Sequence, residues 1–433
     1  MNTPLSRSAP LFRDFIGINE NQSAEPFPPA LYRPVASLVR DYHSVLLDLG
    51  SDTAQPSTLP LARHGLDWAA RYAAMRAHGW RIDVSLMFET IAPGRWHDLA
   101  ADARAYAEQF AHVFGPTHGG LVEAVEIGNE PGTFSDEDFR RVFVAMAEGF
   151  RAGDPRLLIA TPAMTTGASH AFAKSTDALA GLDEFYDVLT VHTYAELEAW
   201  PTWQRSFPED PRLQKYLPDV RWLCAWRDRH APTKPVWITE FGYDAHDQPP
   251  DPHGPHKWWR PVDDLQQAQW TVRSWLMFAT LPVERAYHYY FNDHGRPSLH
   301  AAAGLTRDYQ PRPVFHAAAH LQRTLGDYRY AGLLVNRPGD AMLADFAHEH
   351  DATRRIWVAW SPTGTGRSAS LVLPPWPGAV EKIELMPTTT GDVTVLASGR
   401  EPGEIVIHES PTYLLLRQNN APLPSRDTDI SFQ

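Results

Sequence analysis

Cysteine is almost absent from this chain. Cys224 stands alone, so no intrachain disulfide can form. It lies in the run RWLCAWRD between apolar residues at helical spacing, where a small buried side chain is expected rather than a reactive thiol. No apolar run reaches the ~18 residues that a membrane helix needs. A Gly-x-Gly-x-x-Gly fingerprint and a phosphate loop are both missing, which disfavours nucleotide-dependent enzymes, and no nucleophile elbow is present. Positive charge is in deficit: 39 Lys and Arg against 52 Asp and Glu leave a net charge of −13. That balance argues against a nucleic-acid partner, which needs a basic footprint, and against electrostatic attachment to an anionic membrane. The opening residues, MNTPLSRSAPLFRDF, lack the long apolar core of a signal peptide. Taken at face value this keeps the protein in the cytoplasm; a signal already removed would leave the same start in a secreted or periplasmic protein.

Aromatic side chains, in contrast, are plentiful, with 15 Trp, 15 Tyr and 19 Phe. Such rings suit the C–H face of a pyranose, and they suit a large core equally well. The 433 residues are enough for a barrel of ~250 residues and one smaller domain. The order of patterns agrees with that division. Short β-branched or apolar runs alternate with helical stretches: Phe15 to Asn19, Ser37 to Val45, Trp80 to Phe88, Leu121 to Asn129, Arg156 to Thr161, Tyr186 to Tyr194, Lys234 to Gly242 and Arg285 to Phe291. Parallel strands need long crossovers, and eight such units predict a closed α/β barrel of the (β/α)₈ (TIM) type over residues 1–325. From about Asp327 the helical pattern stops. Runs such as AMLADFAHE, RRIWVAWSP, SASLVLP, EKIELMP, VTVLAS, EIVIHE and TYLLLR predict a C-terminal β-sandwich over 326–418. Residues 419–433 form a polar, loosely held tail.

Barrel enzymes place their chemistry at the C-terminal ends of the strands. The fourth run ends in Ile127-Gly128-Asn129-Glu130-Pro131 and the seventh in Ile238-Thr239-Glu240-Phe241-Gly242. Strands four and seven lie across the mouth from one another, so Glu130 and Glu240 are expected to face each other there. Paired carboxylates in that position are what glycosidic bond cleavage requires. A nucleophilic carboxylate must be ionised, so a nearby Arg and a Tyr hydroxyl are expected beside it. An acid must keep its proton near neutral pH, which calls for partial burial and a neighbouring negative field. Of the other carboxylates, Glu123 and Glu126 precede the mouth and are expected to be structural. Glu89 ends strand three and is a candidate to line the cleft; Asn19, Glu20, Glu196 and Glu198 end other strands and are candidates to bind hydroxyls.

Gly-Asn-Glu-Pro on a fourth strand with Thr-Glu-Phe-Gly on a seventh resembles clan A of the glycoside hydrolases, over about residues 14 to 325. In layout, with its C-terminal β-domain, the chain is most similar to family 39 and to members of families 30 and 5. The resemblance implies a retaining β-glycosidase with Glu130 as acid/base and Glu240 as nucleophile. It further implies that Asn129 bonds the sugar 2-hydroxyl and that Arg40, at the end of strand two, keeps the nucleophile ionised. His192 and Tyr194 correspond to the clan's polar pair near the nucleophile. One departure is visible. The clan usually ends strand eight in a Trp platform, whereas here the run is Tyr287-His288-Tyr289-Tyr290-Phe291-Asn292, so His288 or Tyr290 is expected to serve.

Loop tryptophans are the remaining candidates for sugar contact. Trp200 and Trp203 follow strand six, Trp258 and Trp259 follow strand seven, and Trp96 follows strand three. Trp68, Trp222, Trp226, Trp270 and Trp275 fall on predicted helices and are expected in the core. His246, Asp247, Asp251, His253 and His256 crowd one loop, but without helical spacing and among Pro and Gly, which reads as a solvated lid and not a metal site. The reading is therefore a retaining hydrolase of a neutral β-linked oligo- or polysaccharide, needing neither metal nor cofactor. A transglycosylase sharing the glycosyl-enzyme and a silent carbohydrate-binding barrel are the alternatives.

Overall fold

The computed structural model describes residues 8–20, 28–396 and 403–418. Eight of the apolar runs form the barrel: β1 (Ile16–Glu20), β2 (Leu38–Ser44), β3 (Arg81–Met87), β4 (Ala124–Ile127), β5 (Leu158–Thr165), β6 (Val188–His192), β7 (Val236–Phe241) and β8 (Arg285–His288). Each pairs in parallel with its neighbours, and β1 pairs with both β2 and β8, which closes the ring. Every residue of β1, β4 and β7 is buried, as expected for strands covered on both faces. The α/β barrel expected from the alternation is thus present.

Six long helices surround it: α1 (Trp68–Ala77), α2 (Leu99–Phe114), α3 (Asp136–Gly153), α4 (Leu217–His230), α5 (Asp264–Phe278) and α6 (Pro313–Leu325). Four start on a side-chain cap that accepts an otherwise unpaired amide: Asp67, Asp98, Ser135 and Asp263, the last in a capping box with Gln266. The α2–α3 pair packs closely because α3 offers glycines to it; a Cβ at Gly149 would lie 2.3 Å from the carbonyl of Arg104. Between β5 and β6 the connection carries a two-residue strand, Lys174–Ser175, and a short 3₁₀ turn, Thr176–Leu179, in place of a long helix. No helix among the described residues is long and apolar enough to cross a membrane.

The C-terminal region is all β. A six-stranded antiparallel sheet runs in the order β9 (Tyr328–Arg337), β10 (Ala341–His348), β11 (Arg354–Trp360), β16 (Thr412–Gln418), β13 (Gly378–Leu385), β14 (Val395–Leu396). A two-stranded ribbon, β12 (Ala369–Val372) and β15 (Glu404–Ile407), makes the other layer. Strand alternation divides the large sheet cleanly. Ala344, Phe346, Ile356, Val358, Trp360 and Tyr413 belong to one continuous core with the barrel. Leu343, Trp357, Ala359, Leu414 and Leu416 face the other way and are capped by Leu371 and Ile407. β9 was not among the expected runs. It is an edge strand with most residues half-buried or exposed, so its apolar alternation is weak. The expected tail and the end of VTVLAS lie outside the described residues.

Two expectations need correction. Arg40 is not at the end of strand two but third in a seven-residue strand, inside the barrel. Trp222 is not core; it is 52 % exposed on the outer face of α4, while Trp68, Trp270 and Trp275 are buried as expected. Trp226 is only partly buried, stacked on His230. Cys224 is buried.

A buried ion pair of the barrel anchors the sandwich. Glu209, in the loop after β6, accepts from Arg273 Nε on α5 (3.1 Å) and from Trp360 Nε1 on β11 (2.6 Å). The fully buried Arg273 also reaches the Thr363 carbonyl (2.8 Å). Glu209→Ala would strand a buried cation, and such a loss costs ~3–5 kcal/mol. We expect a drop of that order in the free energy of urea unfolding, with Glu209→Gln less damaging.

Candidate active site

Glu240 is the second-last residue of β7, and a register irregularity between β6 and β7 sets His192 directly beside it. Four groups surround its carboxylate. Tyr42 donates to Oε1 (2.6 Å), Arg40 Nη1 donates to the same oxygen (3.2 Å), and Tyr194 donates to Oε2 (2.8 Å). His192 Nδ1 lies 3.6 Å from Oε2. Burial pushes the Glu240 carboxyl up, but the facing His192 and Arg40 charges and the two tyrosine hydroxyls outweigh it. The group is held below the ordinary carboxylate value, so it is ionised across the neutral range. His192 responds in kind: burial pulls its pKa down, yet Glu240 and Glu130 raise it above the usual imidazole value.

Arg40 is wholly buried, and each of its five N–H groups has an acceptor. Nε and Nη2 clamp Glu126 (2.6 and 2.9 Å); Nη2 also reaches Asn129 Oδ1 (2.8 Å), and Nη1 reaches Asn19 Oδ1 (2.8 Å) as well as Glu240. Asn19 in turn donates to the Thr239 carbonyl (2.9 Å). Glu126 is therefore a structural partner inside the barrel, and Glu123 is another, salt-bridged to Arg81 and Arg285 near the opposite end.

Glu130 follows β4 after a turn at Gly128, whose φ of +89° and close approach to Phe88, 2.8 Å from a Cβ placed there, both require glycine. Its carboxylate is 28 % exposed against 8 % for Glu240, and its Oε1 meets His192 Nδ1 at 3.1 Å. One carboxylate oxygen of each glutamate and His192 Nδ1 lie within 4.8 Å of one another. One oxygen of each carboxylate therefore reaches the same small region of the barrel mouth. The same three atoms are a set that could hold a cation, although one hydrogen bond, His192 with Glu130, and the ion-pair contact of His192 with Glu240 account for their approach. The histidine-rich loop makes no such group among the described residues. Its His246 bonds the Gly295 carbonyl (3.0 Å) and its His256 bonds Ser298 (2.9 Å).

The end of β8 differs from expectation. His288 is completely buried and packs on Phe241 and Trp275, away from the mouth. Burial lowers its pKa to about 3, so it is neutral. Tyr290 is 4 % exposed and supports Tyr289 from behind, ring centroids 4.6 Å apart. Tyr289 is the residue that joins the site, edge-on to Tyr42 (6.3 Å) and to His300 (6.0 Å). His300 also packs edge-on to Tyr194 (5.8 Å). Tyr42, Tyr289 and His300 were missed from sequence. Two of them carried a signal: Tyr42 is two residues from Arg40, and Tyr289 is in phase with Arg285 and Tyr287, whose side chains share one face (3.3 Å).

Among the loop aromatics, Trp200 and Trp258 are exposed (75 % and 62 %). Trp259 is not a platform; it is buried against Leu299, Ala302 and Trp203 and stiffens the loop. Trp96 is also buried and donates to the Ile91 carbonyl. The loops after β6 and β7 are tied by the Arg260 amide on the Thr202 carbonyl (2.9 Å) and by Arg260 Nη1 on Gln204 (3.0 Å). Glu89 does not line the cleft through its acceptor oxygen. That oxygen receives the backbone amides of Asn129 (2.8 Å) and Glu130 (3.0 Å).

A family 39 glycoside hydrolase from the gut symbiont Bacteroides cellulosilyticus WH2 superposes with a TM-score of 0.68 at 17 % identity, covering 94 % of this chain and 81 % of that one. A glucosidase from Croceicoccus marinus gives 0.62 at 14 % identity (96 % and 98 %). A family 30 subfamily 8 xylanase from Clostridium acetobutylicum gives 0.59 at 11 % (95 % and 97 %). The chain shares the fold of these glycoside hydrolases. No family model matches the sequence, and no curated protein does. The likeness spans barrel and sandwich together, and at these identities it speaks for the fold alone.

The hydrogen bonds on Glu240 stabilise only its charged form, so removing one must raise its pKa. A hydrogen bond to a charged group is worth ~1.5–3 kcal/mol, and 1.36 kcal/mol corresponds to about one pKa unit. If catalysis needs Glu240 ionised, Tyr42→Phe and Tyr194→Phe each move the acid limb of the kcat/KM profile upward by about one pH unit.

Proposed function

We propose that this protein is a retaining β-glycosidase acting on a neutral β-linked oligo- or polysaccharide, with Glu240 as nucleophile and Glu130 as acid/base. The observation that carries the reading is the asymmetric pair: two carboxylates that each bring an oxygen within 4.8 Å of the other, one buried and stabilised as an anion, the other partly exposed beside an imidazole. Environments that separate two carboxyl groups in this way mark acid and nucleophile. In the first step Glu240 attacks the anomeric carbon, the bond to the leaving oxygen breaks, and Glu130 delivers its proton there. The glycosyl ester neutralises Glu240 and removes a negative field from Glu130. Glu130, now a carboxylate, takes a proton from water; the water oxygen attacks the anomeric carbon and the ester breaks. Two displacements return the original configuration.

Arg40 has no N–H left for a sugar carboxylate, which favours a neutral sugar at this point of the site. Asn129, held by Arg40, is the group offered to the 2-hydroxyl. Tyr289 takes the place at the end of β8 where a sugar ring would rest, and exposed Trp200 and Trp258 suit sugar units farther out.

The test is a mutant pair on aryl β-glycosides and β-glucans. Glu240→Ala is expected to abolish hydrolysis, with azide restoring turnover to the inverted glycosyl azide. Glu130→Ala is expected to lose ~10²–10⁴-fold on poor leaving groups and to spare activated ones, azide then giving the retained product. Undiminished activity in Glu240→Ala would refute the assignment. A wild type that cleaves nothing yet binds glycan by calorimetry would make the barrel a binding module, and transfer to added sugar in preference to water would make it a transglycosylase.

A further inference from the structure

Glu89 sits in the 3₁₀ turn Phe88–Thr90 that directly follows β3, one strand away from Glu130. Its Oε1 takes the two successive amides of Asn129 and Glu130, the residues proposed to touch the sugar and the leaving oxygen. Its Oε2 is sealed from solvent and has no hydrogen-bond partner among the described residues. Gly128 closes over it, since a Cβ there would stand 3.2 Å from that oxygen. A carboxyl so placed is an unusual way to hold a turn, because a neutral side chain would accept the same amides without the cost of burying a charge. Burial pushes the Glu89 carboxyl up to about 7, against the pull of the amides, and the charge of Glu130 adds to the rise.

We propose that Glu89 is a positioning residue for the acid/base: by accepting the amides of Asn129 and Glu130 it fixes the backbone that aims both side chains at the cleft. This rests on the assignment of Glu130 as acid/base. Glu130 faces His192 on β6 and, beyond it, Glu240 on β7; His170, from the loop after β5, feels the Glu130 charge; and Arg40 on β2 reaches the pair through Asn129.

The experiment measures kcat/KM for wild type, Glu89→Gln and Glu89→Ala on an activated aryl glycoside and an unactivated disaccharide, with a thermal melt of each variant. Glu89→Ala is expected to lose roughly 10²-fold on the disaccharide and much less on the aryl glycoside, the signature of a misplaced acid. Glu89→Gln retains an acceptor for the two amides and is expected to recover most of that loss. Equal losses on both substrates in a folded Glu89→Ala, or a folded Glu89→Gln as impaired as Glu89→Ala, overturns the proposal. Azide rescue of Glu130→Ala and Glu240→Ala is run alongside, so a failure there refutes the catalytic assignment itself and is distinguished from a failure of Glu89 alone.

Discussion

A guanidinium with no exposure to water must find an acceptor for each N–H or leave a buried charge unpaired, at a cost few proteins tolerate. Arg40 meets that demand by drawing in side chains from three other strands of the barrel. Glu126 and Asn129 come from β4 and the turn beyond it, Asn19 from β1 and Glu240 from β7. The same contacts that satisfy the cation fix the distance across the mouth and keep Glu240 charged. Structure and electrostatics are one arrangement here: a change to Arg40 would loosen the barrel interior and release the carboxylate together.

The two glutamates differ because their surroundings differ. Glu240 is enclosed and held by a cation and two phenols; Glu130 stands on a turn nearer to solvent, with His192 on its carboxylate. His192 touches both, so a change of charge on one is felt at the other. A ring of Tyr42, Tyr194, Tyr289 and His300 surrounds the pair and makes the walls of the site aromatic. Behind Glu130 lies a third carboxyl, Glu89, whose contacts are with backbone and not with the cleft.

The C-terminal sheet contributes from a distance. It shares a core with the barrel and, through Glu209, binds α5 and the loop that follows β6. That loop carries Trp200 and Trp203 and is tied to the loop after β7 by Arg260. The sandwich thereby steadies one rim of the mouth.

Much of this was legible in the sequence. Local periodicity separated strands from helices, and the change of pattern near Asp327 marked the start of the all-β region. Short motifs at two strand ends picked out Glu130 and Glu240, because a strand end fixes where its next residue points. Counting by twos along β2 and β8 would also have found Tyr42 and Tyr289. Other features had no local signature. Which face of the turn after β3 Glu89 presents, whether Trp258 or Trp259 is the exposed neighbour, and that His300 reaches Tyr194 all depend on segments distant in the chain. The sequence alone determined the barrel, the sandwich and the two carboxylates, since these follow from patterns repeated within a few residues. Only the tertiary structure decided how the carboxylates differ, because burial and facing charges arise where separate strands meet.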